Sequence, residues 1–122
     1  MKKLLLTISL MLSALSMQAQ NISHIETTKS WYYIYDQNGK KFKTLSTSIG
    51  ELQGFSAFIF IVKSGSWYNI YNDKGNKIKT LSVSYVGSVL SVTGETFTSR
   101  NGAWIRTWDR NGKIISTRAA EH

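Results

Sequence analysis

Seven carboxylates and two imidazoles are the groups in this chain that titrate near or below neutral pH: Glu26, Asp36, Glu51, Asp73, Glu95, Asp109 and Glu121, with His24 and His122. There is no cysteine, which excludes a thiolate nucleophile, a disulfide framework, thiolate metal ligation and a lipid-modified cysteine after a leader. His24 lies in the N-terminal segment and His122 is the last residue, and no serine stands in a nucleophile-elbow context. A Ser-His-acid triad and a histidine-rich metal centre are therefore not expected. The catalytic chemistry left over is a pair of carboxylates flanking a glycosidic bond, which defines one alternative, a small two-carboxylate glycoside hydrolase. Asp36 and Asp109 read as turn residues, and Glu51 and Glu95 do not stand at equivalent places. Glu95 aligns with Phe58 and is the acid that departs furthest from the pattern, either as a functional group or because one copy exposes a face that another buries. No catalytic residue, metal or cofactor is expected.

Aromatic side chains offer a different chemistry, recognition over flat rings with polar groups to fix orientation. In Trp31-Tyr32-Tyr33-Ile34-Tyr35, Trp67-Tyr68-Asn69-Ile70-Tyr71 and Trp104-Ile105-Arg106-Thr107-Trp108, alternate residues share a face of a strand. The two outer positions of that face stay aromatic, while the middle one runs Tyr33, Asn69, Arg106. The opposite face, Tyr32 and Ile34, Tyr68 and Ile70, Ile105 and Thr107, is the more uniformly apolar and suits a core. Identical placement in every copy assigns Trp31, Trp67 and Trp104 to packing. The candidate ligand-binding residues are then Tyr33, Tyr35, Asn69, Tyr71, Arg106 and Trp108.

What positions these residues is a repeat. The three tryptophans are 36 and 37 residues apart, and Lys43-Thr44-Leu45-Ser46 returns as Lys79-Thr80-Leu81-Ser82 and, degraded, as Ser116-Thr117-Arg118. Asp36-Gln37-Asn38-Gly39, Asn72-Asp73-Lys74-Gly75 and Asp109-Arg110-Asn111-Gly112 place an amide-accepting side chain first and a glycine last, the pattern of a type I turn with a glycine bulge. They lack the further carboxylates of a calcium loop. Further hairpin signals stand at Lys63-Ser64-Gly65-Ser66 and Arg100-Asn101-Gly102-Ala103. No segment keeps a helical period, so the domain is expected to be all-β. A complete repeat should hold about four strands, in the first copy Trp31–Tyr35, Lys40–Thr47, a short one at Glu51–Gln53, and Phe55–Val62. The third copy stops at Arg118 and leaves a frayed tail. Ile22–Thr28 then falls where it can complete that copy by pairing near the C-terminal strands. The expectation is a compact β-trefoil-like or barrel-like closure, with an open antiparallel meander or sandwich as the alternative.

The Trp-x-x-x-Tyr-Asp-x-x-Gly-Lys copies resemble the aromatic β-hairpin repeats of small secreted proteins from Bacteroidota and, more loosely, WG-type and YD-type repeats. The resemblance spans Ser30 to Thr117, and it implies a bacterial surface or extracellular protein without an established catalytic role. The start of the chain agrees. Met1-Lys2-Lys3 followed by the apolar run from Leu4 to Met17 reads as a signal peptide covering residues 1–20, cut after Ala19 or Gln20. Residues 21–122 then form a single all-β repeat domain, secreted or periplasmic, with no membrane span after cleavage.

Loss of Lys2 and Lys3 lowers the formal charge from +8 to +6, still basic for so small a domain. Lys40, Lys41, Lys43, Lys77 and Lys79 serve either as solvated guards of strand edges or as an anion site. An exported destination makes nucleic acid an unexpected partner. The expected function is a non-catalytic binding module for glycan or for a cell-surface or protein partner, with a structural or accessory envelope protein as the alternative.

Overall fold

A computed structural model describes residues 21–120. The described residues form eleven antiparallel strands: β1 (Ile22–Thr27), β2 (Trp31–Asp36), β3 (Lys41–Ser46), β4 (Glu51–Phe55), β5 (Ile59–Ser64), β6 (Trp67–Asn72), β7 (Lys77–Ser82), β8 (Ser88–Thr93), β9 (Thr96–Asn101), β10 (Trp104–Asp109) and β11 (Ile114–Ala119). Single helical turns at Thr47–Ile49 and Val83–Val86 lead into β4 and β8. The strands make three meanders: sheet 1 in the order β1-β2-β3, sheet 2 in the order β4-β5-β6-β7, and sheet 3 in the order β11-β10-β9-β8. The repeat and its antiparallel strands are as the sequence implies. The closure is not, since none of the three sheets closes on itself into a barrel.

Each long hairpin follows from its turn residues. Asp36 Oδ1 accepts the backbone N–H of Asn38 and of Lys40, both at 2.9 Å, and Asp109 Oδ1 does the same for Asn111 and Lys113. Asn72 Oδ1 takes Lys74 at 2.9 Å and Asn76 at 3.0 Å. Gly39, Gly75 and Gly112 occupy the left-handed region and donate back to the first residue of the turn, so the expected turn with a glycine bulge forms three times. The register slips one residue beyond it in each copy, between Ile34 and Tyr35, Ile70 and Tyr71, Thr107 and Trp108.

Three local expectations are corrected. Ile22–Thr27 does not reach the C-terminal strands; it pairs with β2, Ile25 opposite Ile34, because a three-residue link at Thr28-Lys29-Ser30 makes the nearest strand the cheapest partner. The expected strand Phe55–Val62 is broken at Ser56–Phe58, where Ser56 N donates to Ile59 O at 2.8 Å and the chain reverses from β4 into β5. The third copy runs on beyond Arg118. Ala119 ends β11, and Ala120 N donates to Ala103 O at 2.7 Å.

Sheet 2 lies between the other two and has a core on each side. Towards sheet 1, Phe60, Val62 and Tyr71 meet Ile22, Ile25, Tyr32 and Ile34. Towards sheet 3, Ile59, Ile61, Tyr68, Ile70 and Leu81 meet Val86, Phe97 and Trp108. Strand β5 thus spends alternate residues on opposite cores, which is why Ile59-Phe60-Ile61-Val62 is a continuous apolar run. The phenols of Tyr32 and Tyr68 bridge the layers. Tyr32 donates to Gly50 O at 2.6 Å and accepts from Leu52 N at 3.1 Å, at the entry to β4. Tyr68 donates to Gly87 O at 2.5 Å, at the entry to β8.

Candidate functional site

The tryptophans expected in the core are half exposed in all three copies: 45 % for Trp31, 52 % for Trp67 and 48 % for Trp104. Each begins its strand beside a turn of two or three residues, opposite Ser46, Ser82 and Ala119 in register. In sheets 2 and 3 the buried volume at the other end of the same face is supplied by Tyr71 and Trp108, so the indoles are not needed for the core.

The six candidate residues do not form one continuous face. Tyr33 and Tyr35 lie on the outer face of sheet 1, Asn69 and Tyr71 on the face of sheet 2 turned towards sheet 1, and Arg106 and Trp108 on the face of sheet 3 turned towards sheet 2. Two of them are core residues. Tyr71 is 9 % exposed and stacks on Phe60 with ring centroids 4.9 Å apart, and burial holds its phenol above its ordinary pKa. Trp108 is fully buried, stacks on Phe97 at 5.8 Å, meets the edge of Tyr85 at 5.3 Å, and donates its Nε1–H to Ser99 Oγ at 2.9 Å.

The same cross-strand pair occurs in every copy, His24 with Tyr35, Phe60 with Tyr71, and Phe97 with Trp108. In sheets 2 and 3 a preceding sheet covers it. In sheet 1 nothing in the described residues does, and the composition changes accordingly: His24 stands where Phe60 and Phe97 stand, and Glu26 where Val62 and Ser99 stand. The aromatics of that face are retained. Trp31, Tyr33 and Tyr35 form a row; Lys41 Nζ sits 4.3 Å from the centroid of Tyr33, the Tyr35 hydroxyl donates to Glu26 Oε1 at 3.3 Å, and the His24 ring lies 6.0 Å from that of Tyr35. Partial burial, and after it the Glu26 carboxylate, hold the Tyr35 phenol above its ordinary pKa. Sequence reading missed the contrast between covered and uncovered copies, although His24 for Phe and Glu26 for Val were its signal.

On sheet 2 an open groove of about 280 Å³ is lined by Ser64, Trp67, Asn69, Lys77 and Thr80. Thr80 Oγ1 donates to Asn69 Oδ1 at 2.7 Å. Thr44 and Thr117 stand at the matching positions, opposite Tyr33 and Arg106. Arg106 is partly exposed on the same face as Trp104.

Three of the acids, Asp36, Glu95 and Asp109, have partners within the fold. Glu95 sits in the turn between β8 and β9, and its carboxylate takes Arg110 Nη1 at 2.9 Å, an exposed pair of a kind that contributes about 0–1 kcal/mol. Asp36 and Asp109 hold turns. Among the described residues no cluster of three His, Asp or Glu side chains is suited to a metal ion, and no helix is long and apolar enough to cross a membrane. The leader read in residues 1–20 lies outside the described residues. In comparison with known proteins, the chain matches no family model and no curated protein.

Proposed function

We propose that this protein is an exported, non-catalytic recognition module that binds glycan through exposed aromatic rings flanked by hydrogen-bonding side chains. The observation that carries the reading is the half exposure of Trp31, Trp67 and Trp104, three indoles left in water by a domain whose cores are filled by other residues. Leaving an indole wet forgoes burial worth about 1.5–3 kcal/mol for a large apolar side chain, and three repetitions of that loss point to a use outside folding. Sugars present flat C–H faces ringed by hydroxyls, which suits indole and phenol rings beside Asn69, Thr80 and Lys41. The basic balance of the chain favours acidic glycans over cationic ligands.

Recognition is supported over hydrolysis by the employment of Asp36 and Asp109 in turns and of Glu95 in a pair with Arg110. The likeness to aromatic β-hairpin repeats of bacterial surface proteins, and the basic, apolar start of the chain, support export to the periplasm or cell exterior. A glycan array on the exported protein tests the reading. The triple replacement of Trp31, Trp67 and Trp104 by alanine should lose at least tenfold in affinity for every bound glycan while keeping its β-type circular dichroism. Unchanged binding by a folded triple variant would overturn it.

A further inference from the structure

The three tryptophan positions are equivalent in sequence but not in the chemistry around them. In sheet 1 the lysine of the set, Lys41, is engaged over the ring of Tyr33, and Glu26 stands across from Tyr33 in register. In sheet 3 the lysine position is Ile114 and the middle residue is Arg106. In sheet 2 the groove combines an exposed indole, Trp67, with Asn69, Thr80, Ser64 and Lys77, and no carboxylate lines it.

The polar groups of that groove are arranged as donors. The hydroxyl of Thr80 is spent on Asn69 Oδ1, which occupies the acceptor end of the amide and leaves the two Nδ2 hydrogens for a ligand. Lys77 adds an ammonium that makes no ion pair among the described residues, and Ser64 adds a hydroxyl. Such a set rewards a ligand rich in acceptors and negatively charged, since charge-assisted hydrogen bonds are about twice as strong as neutral ones. The indole requires that the ligand also carry a flat apolar face. A volume of about 280 Å³ falls just under the range for drug-sized ligands and fits one ring better than several.

We infer that the groove of sheet 2 is a subsite for a uronic acid unit of an acidic polysaccharide, the sugar ring lying on Trp67 and its carboxylate received by Lys77 and the amide of Asn69. The inference rests on the recognition reading above and adds to it the class of sugar and the residues that select it. Thr80 is a positioning residue, because it touches the amide and not the sugar.

The test is calorimetric titration of the whole exported protein with a galacturonic acid trisaccharide, with a neutral glucose trisaccharide, and with a triglutamate peptide as the charge-matched control. The acidic sugar should bind at least tenfold more tightly than either control. Lys77→Gln should remove most of that preference, Asn69→Asp should abolish binding of the acidic sugar, and Thr80→Val, which releases the Asn69 amide, should weaken the acidic sugar more than the neutral one. Melting temperature identifies any variant that fails to fold, and for such a variant titration of the native protein with the two sugars at increasing salt replaces it, since the acidic sugar should weaken and the neutral one should not. Equal binding of the two sugars overturns the subsite and leaves the recognition reading standing. Peptide binding as tight as the acidic sugar shows a charged surface only and also overturns the subsite. Failure of every saccharide, on this titration and on the array, brings down the recognition reading itself.

Discussion

Tyr32 and Tyr68 stand at the second position of their copies and reach forward to the start of the next sheet, whereas the third copy has Ile105 there, on a face that no further sheet covers among the described residues. The substitution makes sense only as a property of the stack. Each phenol meets a backbone carbonyl in a part-buried place, so Tyr68→Phe leaves Gly87 O without its donor and should cost about 1–3 kcal/mol in chemical denaturation. Ile105→Ala, on the outer side of sheet 3, should cost less than either tyrosine change. A pH dependence follows from the same residue. Burial raises the pKa of Tyr68 and of Tyr71 above 10.0, the ordinary value. The unfolded chain therefore releases these protons first, and the stability they contribute is complete below pH 10.0 and is lost as pH rises through the folded value. Melting temperature measured from pH 8 to pH 12 should fall above pH 10, and Tyr68→Phe should make that fall shallower.

The hairpins are the elements most directly written in the residues, because a side-chain acceptor followed three positions later by glycine satisfies the turn amides locally, whatever the rest of the molecule does. The reversal at Ser56–Phe58 has no such signal. Ala57 and Phe58 are ordinary strand residues, and the turn is held by Ser56, whose Oγ accepts Phe58 N at 3.2 Å and donates to Gly94 O in the neighbouring sheet at 2.5 Å. Only the packed layers reveal that contact. The tryptophans were illegible for a related reason: an apolar residue repeated in every copy has the pattern of a core residue, and which end of a strand a neighbouring sheet covers is a tertiary fact. The entry to β4 is a tighter constraint than its sequence suggests. Gly50 has a φ of +136°, and a Cβ there would lie 2.5 Å from Lys63 O. Gly50→Ala should therefore cost about 3 kcal/mol or more, from backbone strain and overpacking together. Gly39→Ala, equally positive in φ but with nothing within 4 Å of the added carbon, should cost only about 1–2 kcal/mol of strain. Denaturant midpoints of the two variants measure the difference.

At the scale of the molecule the repeat reads correctly as three copies, and the ends read wrongly. Closure would require that an incomplete copy at one terminus complete the other, but sheet 1 has three strands and leaves β1 as an edge, while sheet 3 ends on β11. Edges are instead protected by composition, with lysines along β3 and β7, the outer strands of sheets 1 and 2. Two of these lysines also pack. A Cβ on Gly75 would lie 3.1 Å from Lys43 Cγ, and one on Gly112 would lie 3.0 Å from Lys79 Cγ, so each alkyl chain covers the hairpin turn of the next sheet. Such nearest-neighbour layering often lets terminal units melt separately. Here the two cores share one sheet, and on β5 the residues of one core alternate with those of the other: Phe60 and Val62 with Ile34, Ile59 and Ile61 with Trp108. Loosening either core therefore disorders the strand on which the other depends. Ile34→Ala at the sheet 1 side and Trp108→Ala at the sheet 3 side should each cost about 2–5 kcal/mol, and each should lower a single calorimetric transition without splitting it. Two resolved transitions in the Trp108 variant, the first abolishing the near-ultraviolet signal of sheet 3 alone, would show instead that the layers melt as separate units and that the shared strand does not couple them.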